Sequence, residues 1–395
     1  VGDPCEDSVI NAHPAPTKSR TVAGQIVEAQ VVADTRELGR GQSGGFPLKV
    51  QELAVGFAVL LMWGCGGPPN STPVGPAVLS GHAATIRALA FSPDGKLLAS
   101  AGDDKAVKLW DVASGRNTAT LRGHRRPIRS VAFSPDGKLL ASGCECAISF
   151  EDKKVDPKLA VADQWEDNIK LWDLVTLKEK STLKGKTGDV GCLAFSPDGR
   201  LLASGSRLNL WDVATGDQKA ALEPRNPYVR SLGFSRDAKR LVSAGGDMSG
   251  KFYVAVWDPE TRRSVAKVES LTQSVCAAVF SSDAKSVALG NIAVDCVEIW
   301  DIDQGKKVTV LDARPGPPYQ LAFSPDEKTF ASATSGSFNA LTLWNLANGT
   351  KLAQIPEGPS CLAFSPDGMT LAFAVQTAGF PIKLWEITTE ARPRS

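Results

Sequence analysis

The chain has 395 residues, with 44 Lys and Arg against 43 Asp and Glu, a formal net charge of +1. That balance gives no long-range field to gather nucleic acid or an anionic membrane surface, so neither is expected as a partner. Hydrophobic residues at 43% supply a sizeable core, eight cysteines are too sparse for a disulfide scaffold, and three histidines (His13, His82, His124) leave little material for a metal or acid–base centre. No cofactor and no metal are expected.

Residues 1–49 show neither a helical nor a strand period and read as a poorly ordered leader. Within 50–65 comes "LAVGFAVLLMWGC", whose apolar run is shorter than the ~20 residues a spanning helix needs. Such a run matches a signal-peptide core. It ends at Gly64-Cys65, and residues 66–75 follow as a Gly/Pro/Ser tether. The segment resembles a bacterial lipoprotein signal. That resemblance implies lipidation at Cys65 and a place in the cell envelope, with membrane contact through the anchor alone. A stray apolar strand in a cytoplasmic chain stays open as the alternative.

From residue 76 to about 390 the chain repeats itself. "FSPDGKLLAS" stands at 91–100 and at 133–142, and Phe followed by Ser recurs at Phe91, Phe133, Phe195, Phe234, Phe280, Phe323 and Phe364. Each Phe is followed by one Trp: Trp110, Trp172, Trp211, Trp257, Trp300, Trp344 and Trp385. Successive tryptophans lie 39 to 46 residues apart, except for 62 between Trp110 and Trp172, where residues 143–168 form an insertion. In the first unit "IRALAF" is a β-prone run and "SPDG" a turn, in which Pro presets φ and Gly tolerates a positive one. "KLLASA", "AVKLWDV" and "TATL" supply three further strands. Four strands per unit cannot bury both faces alone, so the units must stack, and a ring of them protects the strand edges. After Trp385 only ten residues remain, the last five a tail at 391–395. They are too few for a fourth strand. "AVLS" at 77–80 precedes Gly81-His82 as "ATLR" precedes Gly123-His124, so it is expected to complete the last unit from the other end of the chain.

These units resemble the WD-repeat β-propeller family. The matching residues are Gly81-His82 and Gly123-His124, with Trp-Asp at 110–111, 172–173, 211–212, 257–258 and 300–301. Trp344-Asn345 and Trp385-Glu386 depart from the pattern. The seventh unit, "LAFSPDGMTLAFA", also resembles periplasmic propellers of the TolB kind. The resemblance implies an all-β, seven-bladed propeller and a structural tetrad of His, Ser, Asp and Trp in each blade. Here that is His82, Ser100, Asp104 and Trp110 in unit one. In unit two it is His124, Ser142 and Trp172, with Asp167 displaced by the insertion. Lys186 replaces the His in unit three, and units four to seven lack it.

The same geometry puts the loops before the first strand and between the second and third strands on one face. On it fall Arg87, Arg125, Arg126, Arg129 and Arg230 and the only tyrosines, Tyr228, Tyr253 and Tyr319. Arg and Tyr are enriched in binding hot spots, and guanidinium groups grip carboxylates two bonds at a time. Other proteins or peptides, especially acidic segments, are the expected partners of a monomeric, noncatalytic ring. The insertion's own acids, among them Glu145, are placed to neutralise the arginines. Cys192, Cys276 and Cys361 read as packing residues. Cys144 and Cys146 read as loop cysteines, a redox pair staying open. No HExxH, GxSxG or Gly-rich phosphate loop occurs. The alternative is an enzyme or ligand-binding propeller that uses its central channel, which three or more converging acid, amide or hydroxyl groups there would favour.

Overall fold

The computed structural model describes residues 77–145, 168–185, 188–205, 208–222, 228–246, 252–269, 275–314, 316–334 and 339–387. The leader, the signal-like segment with Cys65, the tether, the tail, Cys146, Asp167 and Lys186 lie outside these described residues. Seven four-stranded antiparallel sheets make up the rest, with no helix among the described residues. Blade one is Ile86–Phe91, Leu97–Gly102, Ala106–Asp111 and Asn117–Arg122, paired in that order. The first strand of every blade touches the first strands of both neighbouring blades. This cycle runs from blade one through blade seven and back, so the molecule is a closed seven-bladed β-propeller around a central channel. Blade seven borrows its fourth strand. Ala77–Leu79 pairs antiparallel with Ile382–Glu386, Ala77 opposite Leu384 and Leu79 opposite Ile382.

The repeated turn is closed by its own side chains. Ser92 Oγ donates to Asp94 Oδ1 at 2.6 Å and accepts the Leu97 N–H at 2.9 Å, while Asp94 Oδ1 also accepts the Lys96 N–H at 3.1 Å. The same Ser–Asp bond forms in the other six blades, from Ser134 to Ser365. Gly95 sits at φ 72°, a conformation free of Cβ strain only for glycine. Ala238, Ala284 and Glu327 adopt φ 57° at this place in blades four, five and six. The Ser–Asp bonds therefore hold the turn even where its glycine has been lost.

Burial lies in the seams between blades. Ala141, Ile169 and Leu171 of blade two pack with Val190, Leu202 and Trp211 of blade three, all fully or almost fully buried. Hydrogen bonds tie the inner ends of these seams. Ser130 Oγ donates to the Val190 carbonyl at 2.8 Å, and the Cys276 and Cys361 thiols lie against the Pro318 and Ile86 carbonyls of the next blade. Burial pushes the Cys276 thiol up to about 11 and those of Cys192 and Cys361 up to about 12. Such thiols stay protonated and inert, in keeping with a packing role.

Blade one carries the full tetrad. Trp110 Nε1–H donates to Ser100 Oγ at 2.7 Å, Ser100 Oγ meets His82 Nε2 at 2.7 Å, and His82 Nδ1 meets Asp104 Oδ2 at 2.8 Å. Blade two keeps Trp172 to Ser142 at 2.7 Å and Ser142 to His124 at 2.6 Å. Its His124 Nδ1 is buried with no partner among the described residues. Blades three, four and six retain the Trp–Ser bond, through Ser204, Ser243 and Ser332. Blade five replaces it: Leu289 occupies the serine's register, and Trp300 donates instead to Glu298 Oε2 at 3.1 Å, directly opposite Leu289. Lys307 balances that buried carboxylate at 2.9 Å. Gly143 and Cys144 end the second strand of blade two, Leu139–Cys144, rather than opening a loop, and Cys144 is buried.

Candidate functional site

One feature of the inner strands organises the channel mouth. In blade one Ile86 pairs with Gly102 and Ala88 with Ala101, so Arg87 is skipped by the ladder. Such a bulge turns the side chain of the extra residue away from the sheet. The bulge recurs at Arg129, Arg230, Cys276, Tyr319 and Ser360. Only blade three, whose first strand is the short Leu193–Phe195, lacks it. Six blades thus deliver one unpaired residue each to the face that also bears the turns between second and third strands.

The arginines on that face are not equivalent. Arg87 makes a bidentate pair with Asp103, its Nε and Nη2 donating at 3.0 and 2.7 Å. That bond holds the Arg87 guanidinium above its ordinary pKa. Arg129 donates through Nη2 to Glu145, so the first acid of the insertion does neutralise one arginine. Arg230 is exposed and, among the described residues, makes one long bond, 3.4 Å, to the Cys276 carbonyl. Arg125 and Arg126 are exposed in the loop before blade two's first strand. Tyr319 is 38% exposed, Tyr253 is half-buried near the start of blade four's third strand, Phe252–Asp258, and Tyr228 begins that blade's first strand, Tyr228–Phe234, its side chain outside the described residues.

Arg87, Arg230 and Tyr319 line one cavity of about 470 Å³, together with Asp189, Cys276 and Gln320. The structure therefore brings together residues from five blades that are spread over more than 200 positions of sequence. It leaves Tyr253, Arg125, Arg126 and Arg129 off that lining. Sequence reasoning missed Asp103 as a partner, and missed Asp189 and Gln320 altogether. A signal for the first existed: Arg87 to Asp103 and Arg129 to Glu145 are both separated by 16 positions. Among the described residues no group of three His, Cys, Asp or Glu is placed to hold a metal ion.

The family described as WD domain, G-beta repeat, matches residues 76–111, 115–173 and 177–212. The chain carries WD repeats. These matched WD repeats cover the first three blades, where His82 and His124 both bond to their serines. The small ribosomal subunit protein RACK1y of Oryza sativa is 33% identical over 190 residues, 38% of this chain and 56% of that protein. The cross-pathway control WD-repeat protein 2 of Flammulina velutipes is 33% identical over 173 residues, 38% of this chain and 55% of its own length. The serine-threonine kinase receptor-associated protein of Gallus gallus is 29% identical over 150 residues, 33% of this chain and 43% of its own. At these longer matches the WD-repeat chain spans about half the length of its curated relatives.

Proposed function

We propose that the ring is a noncatalytic protein-interaction platform that receives partners over the channel mouth bearing Arg87, Arg230 and Tyr319. The observation that carries this reading is the bulge pattern, which brings the bulged residues of blades one, four, five and six (Arg87, Arg230, Cys276 and Tyr319) to a single cavity. Arginine and tyrosine there supply directional donors and rigid apolar area. The relatives' names support a protein-binding role in general. One belongs to a ribosomal subunit and another is associated with a receptor. Neither name supplies a partner for this chain.

Site-specific photo-crosslinking tests the reading. A benzoylphenylalanine at Tyr319 should yield discrete protein adducts in an extract of the source cells. The same probe at Val265, 67% exposed on the outer strand of blade four, should yield none. Adducts formed equally from both positions, or from Val265 alone, would move the binding surface to the blade edges. A second reading, a small ligand held in the channel, has one observation in its favour: an acid, a hydroxyl and an amide (Asp189, Tyr319, Gln320) line the same cavity. That ligand would block the Tyr319 adducts without itself being a protein.

The lipid anchor is a separate proposal, resting on the "GFAVLLMWGC" run and the tether after it. An acylated Cys65 with more than one chain holds a protein stably at a membrane. In a bacterial host, translation started near residue 48 should give protein that partitions with membranes, and Cys65→Ala should release it. Equal membrane fractions for both would remove the anchor.

A further inference from the structure

Resting on the proposed use of the channel mouth, we infer that Arg230 is its specificity-determining residue and selects a single carboxylate of an acidic peptide segment. Three blades differ at equivalent places. In blades one and two the bulged arginine meets an acid 16 positions later, Asp103 and Glu145. Those acids directly follow Gly102 and Cys144, which pair with the residue before the bulge. In blade four Val229 precedes the bulge and pairs with Gly245. The residue after Gly245 is Gly246, which has no carboxylate to offer. Arg230 is consequently the one bulged arginine with no ion pair among the described residues.

Its surroundings suit an incoming oxygen anion. Arg230, Cys276 and Tyr319 are the bulged residues of three consecutive blades, and all three line the cavity. Ala277 and Ala278 line the cavity beside Cys276 with small side chains, while Tyr319 and Gln320 add a hydroxyl and an amide on the blade-six side. Arg230 spends one Nη on the Cys276 carbonyl, which leaves most of its five donors open. On the blade-one side Arg87 is already satisfied by Asp103. A carboxylate fits better than a dianion, since Arg87 is already balanced by Asp103 and the lining also holds the Asp189 carboxylate, which opposes a second negative charge. Charge-assisted, bidentate bonds of this kind are the strong ones.

Fluorescence anisotropy with labelled hexaglutamate, and with hexaglutamine as its uncharged counterpart, tests the assignment on the full chain. Wild type should bind hexaglutamate, more weakly at high salt, and hexaglutamine hardly at all. Arg230→Gln, at an exposed position that leaves folding intact by circular dichroism, should weaken hexaglutamate at least tenfold. The charge-neutral double variant Arg240→Gln/Asp303→Asn, an exposed ion pair away from this cavity, should stay within about twofold of wild type. Acetate and inorganic phosphate should compete equally at matched ionic strength. Unchanged affinity in Arg230→Gln, a larger loss in the double variant, no binding by wild type, or far stronger competition by phosphate would each overturn the inference. None of these results touches the Tyr319 crosslinks, so the broader reading can survive its failure.

Discussion

Deleting residues 76–80 should destabilise the ring by on the order of 4 kcal/mol, seen as a clear drop in melting temperature. Three backbone pairings hold Ala77–Leu79 to the strand bearing Trp385. Energetically Leu79 dominates them, because it is 1% exposed while Val78 is 55% exposed. Leu79 packs with Ile86, Leu98 and Trp110 of blade one and with Ile382 and Leu384 of blade seven. It also sits under the blade-one turn, where a Cβ on Gly115 would lie 3.3 Å from Leu79 Cδ2. Removing it strips the seam of a buried leucine and lays bare an edge strand. Leu79→Ala alone should account for about 3 kcal/mol of the loss, the usual range for a buried leucine. A melting temperature unchanged by the deletion would mean that these pairings do not close the ring.

Acid should weaken blade two through His124. Burial comes first and the nearby Lys170 charge second in pushing its pKa down from 6.5 to about 4. The unfolded chain thus takes up a proton near pH 6.5 that the folded chain refuses until about pH 4. Stability from the neutral imidazole is complete above pH 6.5 and is lost as pH falls towards 4. At pH 4.5 the loss amounts to about 2.5 kcal/mol relative to pH 7.5. Carboxylates throughout the protein also titrate in this window, so the measurement must be a difference. Denaturant unfolding of wild type and His124→Gln at both pH values should show a pH dependence shallower by about that amount in the variant, whose amide can still accept from Ser142. Identical slopes would exclude His124 as the acid-sensitive group.

Why the architecture was legible and the site was not follows from the range of the interactions concerned. The "FSPDG" turn is closed by Ser92 and Asp94 two positions apart, so its chemistry is written in five consecutive letters and survives the loss of Gly in blades four to six. Trp110 and its Ser100 partner are ten positions apart within one unit, a distance the repeat itself makes readable. The closing strand could be found because "AVLS" occupies, before Gly81, the place "ATLR" holds before Gly123. The cavity draws instead on residues from five units, four of which present them at bulges that leave no mark in composition. Arg87, Arg129 and Arg230 look alike in sequence, and only Asp103, Glu145 and Gly246 in the following turns tell them apart. Glu298 is a further case: a lone acid in a strand reads as a surface residue until Leu289 is seen to have displaced the serine.

The closing strand has a mechanical meaning as well. A pull on the chain at residue 76 reaches Ala77–Leu79 before any other strand, so the load falls on a ladder three residues long. The other inter-strand ladders of the seven blades carry no part of it until that ladder has sheared. Under force from that end the ring is therefore as strong as its closing strand, and its first mechanical event is the opening of blade seven with the remaining blades intact.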